Sequence, residues 1–461
     1  MSAIVQAAQY LPSIREPEKE QSLKEMLTWT GVVLLLYYTL GSIDLFGANS
    51  AAVEQALQQL QTFQTLLGAQ IGSIITLGIG PIVTSSIVLQ MVVGSEIVSW
   101  NTNTQEGKEK FQAAQKVLAY GLSIIEAVGY VAAGTFGNIS DPAVFALLSG
   151  QIALGGILII LMDDLIQKWG FGSGTGLFIA AGVSKAIYIA SISALDGTGN
   201  FVGLSSSAAG AFPKFVASGG DFTALVPILA TLAVFGVVVY LQAMRVEIPL
   251  TFGDVRGFGQ KWPLKFLYTS VMPVILVSAL VTNFQIIGTT LAGQNGCSIL
   301  GCVSGGQASS GFIAWLQAPT GFIDSALQGT VTMIGTGSIT HVLFYLLVYI
   351  LGSIVFSIFW MKTSGQDADS VADQIQATGM KVPGFRKDKR VIKKVLNRYI
   401  PGLTVLSGAT IGALASLSNM LNAAGGGTGI LLTVMIIYKM YEELAQKHME
   451  ELHPAMKNFI E

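Results

Sequence analysis

The stretch that decides the fold is residues 76–86, TLGIGPIVTSS, which lies inside a long apolar run. It holds two glycines, a proline and four hydroxyl residues, which a helix that only fills a membrane does not need. Ile79 and Val83 are four residues apart, so they lie on one helix face. Pro81 lacks an N–H, which predicts that the Leu77 carbonyl loses its helical partner and that the helix bends or opens there. Such a break at membrane depth requires protein or a water-filled cavity around it.

The composition around this stretch is that of an integral membrane protein. Of the 461 residues, 51% are hydrophobic and 11% are charged, against roughly 25% charged residues in a soluble domain. A crossing helix needs about 20 mostly apolar residues, and ten windows of that kind occur. They are residues 27–46, 73–95, 115–134, 142–162, 174–194, 222–244, 264–288, 335–361, 399–421 and 428–446. Pro227 and Pro273 are expected to disrupt two of the later windows.

The basic residues predict the orientation of these windows. When the ten windows alternate across the membrane, 23 of the 25 lysines and arginines fall on one side, which the positive-inside rule assigns to the cytoplasm. Lys185 and Lys214 are the exceptions. Residues 1–26 are polar and have no apolar core, so no cleavable signal peptide is expected. We therefore expect a multi-pass protein of the cell (plasma) membrane with both termini in the cytoplasm.

A short glycine-rich repeat predicts two halves. Gly174–Gly176 and Gly427–Gly429 both read Gly-Thr-Gly, and each opens the fifth apolar window in a set of five. Because five is odd, the second half enters the membrane from the opposite side, as in inverted-repeat transporters. The expected fold is all-α, with ten transmembrane helices in two inverted, pseudo-symmetric halves. The expected divisions are residues 1–26, a cytoplasmic segment; 27–200, the first half; 201–446, the second half; and 447–461, a cytoplasmic tail.

The same glycine strings invite a phosphate-binding interpretation, which needs a preceding strand and a soluble βα unit that are missing here. No motif for covalent or metal catalysis occurs, so we expect no enzyme, no metal and no cofactor. In the interiors of the windows, away from their ends, only Glu126 and Lys185 are ionisable. Glu126 is either a neutral group bonded between helices or part of a functional path, and Lys185 could extend toward the membrane surface. An inverted-repeat secondary transporter of a small solute is the alternative function, and a ribosome receptor without a pore is a third.

Three connections between windows carry further patterns. Residues 56–70, ALQQLQTFQTLLGAQ, have no charge; they predict either an amphipathic helix on the outer surface or a half-helix folded into a cavity, with Gly68 and Gly72 as hinges. The predicted cytoplasmic loops 245–265 and 362–398 are basic, through topogenic charge or as a dock for a polyanion such as RNA. In the predicted external loop CSILGC, Cys297 and Cys302 are either a small disulfide or two thiols.

Several long motifs follow one another along the chain in the order of a known family. They are TLGIGPIVTSSIVLQM, GSGTGLFIAAGVS, MRVEIPL, GFRK, YIPGLTVLSG, GGGTGILLTV and ELHPAM. Together they resemble the SecY family in its archaeal form, the pore-forming (alpha) subunit of the protein translocase. The resemblance implies a passive protein-conducting channel that translocates secretory polypeptides and releases transmembrane segments sideways into lipid.

The resemblance also implies the site residues. A short plug helix falls at about 57–70 and includes Leu60, Phe63 and Leu67. A ring of apolar side chains at the waist of the pore falls on Ile79, Val83, Thr175, Ile179, Ile275 and Leu432. Thr175 departs from the usual bulky aliphatic residue, so the ring is either wetter there or filled by another side chain.

Two further groups of residues follow from the same resemblance. Polar residues at the lateral gate map to Thr84, Glu126 and Asn283, and on this basis the gate role is preferred for Glu126. Ribosome docking maps to the two basic loops and to Arg256, Lys261, Arg386, Lys387, Lys389 and Arg390. The implied partners are a SecE-type clamp subunit, a small beta subunit, the ribosome, signal sequences and nascent polypeptides, and membrane lipid.

Overall fold

A computed structural model describes most of the chain. The described residues are 3–19, 21–50, 52–53, 67–94, 97–98, 100, 105–132, 134–137, 139, 141–195, 201–252, 259–292, 296–304, 307–319, 322, 325, 329–330, 332–333, 335, 337–377, 380–381 and 389–452. Two compact units are present. Unit 1 comprises Met1–Ala186 and Met435–Glu461, and unit 2 comprises Ile187–Val434. The predicted halves, residues 27–200 and 201–446, remain a prediction.

The helices that begin in unit 1 are α1 (Ala3–Tyr10), α2 (Leu23–Gly41), α3 (Gly80–Gly94), α4 (Gln105–Ala132), α5 (Pro142–Trp169) and α6 (Gly174–Ile192). Local signals fix where they start. Ser22 and Glu25 form a reciprocal capping box at α2. Asp141 caps α5 by accepting from the Ala143 N–H.

The helices that begin in unit 2 are α7 (Ala211–Ala217), α8 (Val226–Ala243), α9 (Met272–Ala292), α10 (Phe312–Trp315), α11 (Ile339–Thr363), α12 (Ala368–Ala377), α13 (Lys389–Met420) and α14 (Gly427–Leu452). A single 3₁₀ turn, Phe222–Leu225, precedes α8. The strands are β1 (Arg245–Phe252), β2 (Gly259–Lys265), β3 (Cys297–Ser298), β4 (Gly301–Ser304), β5 (Gln307–Ser310) and β6 (Met380–Lys381). Helix α14 continues from unit 2 into unit 1.

A helix lies in each of the ten predicted windows, and five described helices are long and apolar enough to cross a membrane. Those five are Pro142–Trp169, Gly174–Ile192, Phe222–Ala243, Ile339–Lys362 and Lys389–Met420. Two shorter apolar helices are Gly80–Val93 and Met272–Thr282. The protein is therefore mostly helical with several membrane-capable helices, while the count of ten spans stays a prediction.

The three prolines interrupt their predicted windows at the starts of helices and not by a kink inside a helix. Helix α3 begins at Gly80, so Pro81 lies in its first turn, and the Leu77 carbonyl accepts from the Gly80 N–H at 3.0 Å. Pro227 and Pro273 are likewise the second residues of α8 and α9. The first four N–H groups of a helix have no partner within it, so proline removes nothing there. These prolines start helices and do not kink them.

The described chain also holds two small antiparallel sheets, which an all-α fold does not include. In the first sheet, of order β2-β1-β6, Arg245 lies opposite Lys265 and Thr251 lies opposite Lys381. The second has the order β3-β4-β5. Both lie in segments that the sequence indicated only as connections, because their strands are short or carry a proline. The predicted window 264–288 is accordingly too long at its start, since α9 begins at Met272.

The two basic segments share one hydrophobic core, which we call the hairpin cluster. Its buried members are Ile248, Leu264, Ala368, Val371, Ala372, Ile375, Ile392, Leu396, Ile400 and Leu403. These residues come from the β1–β2 hairpin and from α12 and α13. Segments that are about a hundred residues apart in sequence therefore form one packed body.

Cys297 and Cys302 are joined by a disulfide that closes the β3–β4 turn. This decides between the two alternatives that the sequence left open. The turn packs beside α9, where the Ser298 hydroxyl donates to the Gly288 carbonyl at 3.5 Å. Gly288 itself leaves no room for a side chain, because a Cβ there would overlap the buried Ile313.

Replacing Ile375 by alanine tests the hairpin cluster. Ile375 is 1% exposed, and truncating a buried isoleucine costs about 2–5 kcal/mol. We expect faster hydrogen exchange in the β1 amides of the Ile375→Ala protein, measured by mass spectrometry in detergent, with α5 unchanged. The exposed neighbour Gln376 is the control, and Gln376→Ala should exchange like the parent. Protection of β1 that survives Ile375→Ala would show that the two segments fold independently.

Candidate functional site

The six residues of the predicted ring share one structural feature: each lies at or near the start of a helix. Ile79 precedes α3 and Val83 lies in its first turn. Thr175 and Ile179 lie in the first two turns of α6, Ile275 lies in the first turn of α9, and Leu432 lies in the second turn of α14. Four of these residues belong to unit 1, and Ile275 and Leu432 belong to unit 2.

Helix α3 is too short to cross a bilayer by itself. It has 15 residues, which corresponds to about 22 Å of helix, against a hydrocarbon core of roughly 30 Å. The rest of its predicted window belongs to an irregular stretch before it. We call residues 67–79 the connecting segment. Leu67 is its first residue, whereas Leu60 and Phe63 lie outside the described residues.

The connecting segment satisfies its own backbone through tight turns. The Thr76 hydroxyl donates to the Ser73 carbonyl at 2.6 Å and accepts from the Gly72 N–H at 3.2 Å. Gly78 has a φ of +53°, and a Cβ there would lie 2.7 Å from the Ala69 nitrogen. Only glycine fits such a position, because its conformation is left-handed and its neighbour is backbone. The two predicted hinge glycines, Gly68 and Gly72, also have positive φ.

Ile79 ties the end of this segment to its beginning. Its N–H donates to the Leu67 carbonyl at 2.9 Å, and its own carbonyl accepts from the Val83 N–H at 3.0 Å. The Ile79 side chain is fully buried and Val83 is half-buried. One ring residue therefore joins the first turn of α3 to Leu67, which lies near the end of the predicted plug, residues 57–70.

A hydrophobic core supports the connecting segment from one side. Its buried members are Leu45, Ile71, Leu77, Ala127, Val131, Phe136, Leu148 and Ile152. Helix α5 approaches closely because Gly155 has no side chain: a Cβ there would overlap the Ile74 carbonyl oxygen. Small residues commonly permit such close approach in membranes. The segment is irregular in conformation but well packed.

Thr175 occupies a more defined position than the sequence indicated. Its hydroxyl lies 2.7 Å from the Ser173 hydroxyl, and its N–H donates to the Asp163 carboxylate at 2.7 Å. Asp163 is buried at the end of α5 and caps the start of α6. The Thr175 hydroxyl is thus engaged in the turn before α6. Asp163 was not among the predicted site residues, because it lies twelve residues before Thr175 and inside the preceding helix.

Two of the three predicted gate residues meet in unit 1. The Glu126 carboxyl group on α4 and the Thr84 hydroxyl group on α3 lie close enough to interact. Gly80 makes room for this carboxyl group, since a Cβ there would lie 3.3 Å from Glu126 Oε2. The side chain of Asn283 lies outside the described part of the chain. Glu126 and Thr84 therefore lie near each other on two packed helices.

The predicted ribosome-docking residues are only partly described. Arg256, Arg386 and Lys387 lie outside the described residues, as does the side chain of Lys261 on β2. The remaining two, Lys389 and Arg390, begin α13.

Lys389 is already paired within the chain. Its Nζ lies 2.7 Å from an Asp373 oxygen and 3.1 Å from an Asp369 oxygen, and Lys393 lies 3.1 Å from the same Asp369 oxygen. Hydrogen bonds from Lys389 and Lys393 hold the pKa of the Asp369 carboxyl below its ordinary value. Lys389 therefore braces α12 against α13.

Comparisons with known proteins agree with this architecture. The family model described as SecY matches residues 73–441. The protein translocase subunit SecY of Methanocaldococcus jannaschii is 40% identical over 460 residues, and the match covers 100% of each chain. A SecY structure that concerns a plug domain, the closed state of the translocation channel and its membrane seal has a TM-score of 0.77, with 39% identity and 99% of each chain covered. Sec61 in a canine ribosome–channel complex from the endoplasmic reticulum has a TM-score of 0.74 and 38% identity, again with 99% of each chain covered.

These matches extend over the whole length of the chain and carry both sequence and fold. The chain belongs to the SecY family. It is a multi-pass membrane protein, and its family is one of translocation channels, not of enzymes.

The pKa of Asp369 tests the bracing of α12. A depressed carboxyl pKa means that the contact stabilises the fold above the ordinary carboxyl pKa and is lost as the pH falls through the depressed value. We expect the Asp369 titration, followed by carboxyl-carbon NMR of selectively labelled protein, to move up toward its ordinary range in Lys389→Met with Lys393→Met. The adjacent exposed Lys394 supplies the control, Lys394→Met, which should leave it unchanged. An Asp369 titration that stays put in the double variant would rule out the lysines as its cause.

Proposed function

We propose that this chain is the pore-forming subunit of a protein-conducting channel. It passes secretory polypeptides across the membrane, releases transmembrane segments sideways into lipid, and draws its energy from a translating ribosome. The similarity to translocase subunits and channels along the full chain supports this proposal. The single observation that carries it is the hydrogen bond from Ile79 to Leu67, because it links a ring residue to the end of the predicted plug.

The seal consists of the six ring residues Ile79, Val83, Thr175, Ile179, Ile275 and Leu432. A narrow apolar constriction excludes water, and ions cannot enter without it. A polypeptide displaces the ring by offering apolar contacts in exchange. Residues 57–70 act as the plug that adds to this seal in the closed channel. Helices α3 and α9 support the ring, since each places a ring residue within one turn of its start.

The lateral gate involves Thr84, Glu126 and Asn283. The proximity of Thr84 and Glu126 supports this role, because it brings two polar side chains together on packed helices. An entering hydrophobic signal helix replaces such contacts with apolar packing.

The comparisons do not favour the alternative, a secondary transporter of a small solute. A coupled transporter needs ionisable groups free to bind its ions at the midplane. Glu126 lies near the Thr84 hydroxyl, and Lys185 donates to the Gln70 side chain.

The ribosome docks on the two basic segments, 245–265 and 362–398. The positive charge toward the RNA backbone comes from Arg256, Lys261, Arg386, Lys387 and Arg390. Lys389 instead holds α12 against α13 through its ion pairs. The hairpin cluster supports a shared dock, because it holds both segments in one packed body. A basic, aromatic-poor surface of this kind binds phosphate and not particular bases.

The remaining partners follow from the family. A SecE-type clamp subunit holds the two halves together, and a small beta subunit accompanies it. Both termini lie in the cytoplasm, as the charge distribution indicates, and the membrane is the plasma membrane of an archaeal cell.

Glycine substitutions in the ring test the seal. Val83→Gly with Leu432→Gly removes two apolar side chains, each worth about 1.5–3 kcal/mol of burial, so the resting ion current should rise more than tenfold. The measurement is KCl conductance of the reconstituted complex in planar bilayers.

The matched control for the seal is Val88→Gly with Ile437→Gly. It makes a similar change on the same two helices, at side chains that are 41% and 47% exposed. The control should conduct like the parent. An unchanged current in the ring variant, or an equal rise in the control, would contradict the seal.

Charge reversal tests the dock. Arg256→Glu with Arg386→Glu should weaken ribosome binding at least tenfold and reduce the steepness of its salt dependence by about two phosphate contacts. Cosedimentation of the purified complex with ribosomes over a salt series measures both quantities. Arg15→Glu with Lys19→Glu also reverses two charges, outside the two basic segments, and should bind like the parent. Equal losses in the two proteins would replace a specific dock with general electrostatic attraction.

A further inference from the structure

Two side chains from neighbouring helices contact the connecting segment, and neither belongs to the proposed ring, gate or dock. It passes close to α6, where a Cβ on Gly68 would lie 3.0 Å from the Phe178 carbonyl oxygen and 3.2 Å from the Tyr37 hydroxyl oxygen. Gly68 has a φ of +54°. Its backbone therefore lies between α2 and α6, with room for no side chain.

Tyr37 on α2 makes the first of the two contacts. Its side chain is fully buried, and its hydroxyl donates to the Gly68 carbonyl at 2.6 Å. Its ring stacks on Phe178 of α6, with 4.9 Å between centroids and 21° between planes. The Gly68 carbonyl lies in irregular backbone, so it has no helical partner that could replace the phenol. A buried acceptor of this kind is costly to leave unpaired.

Lys185 on α6 makes the second contact. Its Nζ donates to the Gln70 side-chain oxygen at 2.9 Å. Gly41 at the end of α2 leaves the space that the Gln70 amide occupies, since a Cβ there would overlap it. Lys185 is also one of two basic residues that the positive-inside pattern does not explain. Its bond to Gln70 gives it a role in unit 1.

We propose that Tyr37 and the Gln70–Lys185 pair are positioning residues for the closed channel. They fix the connecting segment at Gly68 and Gln70. The hydrogen bond from the Ile79 N–H to the Leu67 carbonyl then connects this fixed segment to the ring. Opening of the channel requires both of these contacts to break. Each contact therefore lowers the probability that the resting channel is open. This inference rests on the proposed channel function and adds to it the residues that hold the closed state.

The test compares conservative single-residue variants of the full complex in planar bilayers, without substrate. Tyr37→Phe removes one hydroxyl and keeps the stacked ring, and Lys185→Met removes the donor at an exposed position. Each should raise the fraction of time open about three- to tenfold, the range for losing one hydrogen bond. Lys185→Arg keeps a donor and should restore most of the closed behaviour.

Tyr38→Phe is the matched control. The Tyr38 hydroxyl donates to the Ala181 carbonyl at 2.9 Å, so it joins the same helices, α2 and α6, without touching the connecting segment. The Tyr38→Phe current should equal that of the parent. If Tyr38→Phe raises the fraction of time open as much as Tyr37→Phe does, the effect comes from helix packing and the proposal is wrong. The proposal is also wrong if Tyr37→Phe and Lys185→Met both leave the fraction of time open unchanged.

The ring variant Val83→Gly with Leu432→Gly separates this inference from the function beneath it. If that variant conducts while Tyr37→Phe and Lys185→Met stay closed, only the positioning role fails. If it does not conduct either, and a translating ribosome opens no current in the parent, the channel function fails. Thermal unfolding of each purified complex shows whether a current comes from a folded protein.

Discussion

Polar backbone groups at membrane depth must find partners inside the protein, and the arrangement of unit 1 follows from that constraint. Helix α3 is too short to cross, so the irregular connecting segment completes its path. The Thr76 hydroxyl, the Leu67 carbonyl and the Tyr37 phenol then take over the hydrogen bonding that a helix would have supplied. Glycine is required where these bonds draw backbone against backbone, as at Gly78.

The same constraint bears on the position of the proposed seal. A continuous helix would turn its side chains around its whole circumference and hold them there. A helix that starts at Gly80 instead places Ile79 at a junction, where its backbone serves the connecting segment and its side chain is buried. Movement at the junction changes the side chain's position without unwinding a helix, so opening sacrifices few hydrogen bonds.

Much of the fold could be predicted from the sequence, because hydrophobic length and charge distribution act over whole windows. Every predicted window contains a helix, and the motifs correctly indicated the family. The starts of the helices were less accessible. Pro81 has the same missing N–H in a kink and in a first turn, and only the hydrogen bond from Gly80 to Leu77 tells the two apart.

The supporting contacts were beyond the reach of the sequence for a different reason. Tyr37 and Gly68, or Lys185 and Gln70, are far apart along the chain and carry no spacing that relates them. A tyrosine in an apolar helix is an ordinary residue until its neighbour is known. The sheets were missed because β3 and β6 have two residues each, too few for a period-two pattern. The disulfide could only be offered as an alternative, since two cysteines five residues apart pair in some turns and not in others.

The hairpin cluster also bears on how the protein is made. Its β1–β2 hairpin leaves the ribosome well before α12 and α13 do, and it cannot bury Ile248 and Leu264 until those helices arrive. Domains fold during synthesis in the order in which their parts emerge. The hairpin cluster is therefore complete only when most of the chain has been translated. A newly made copy therefore completes its proposed ribosome-binding surface when its own ribosome is about to leave.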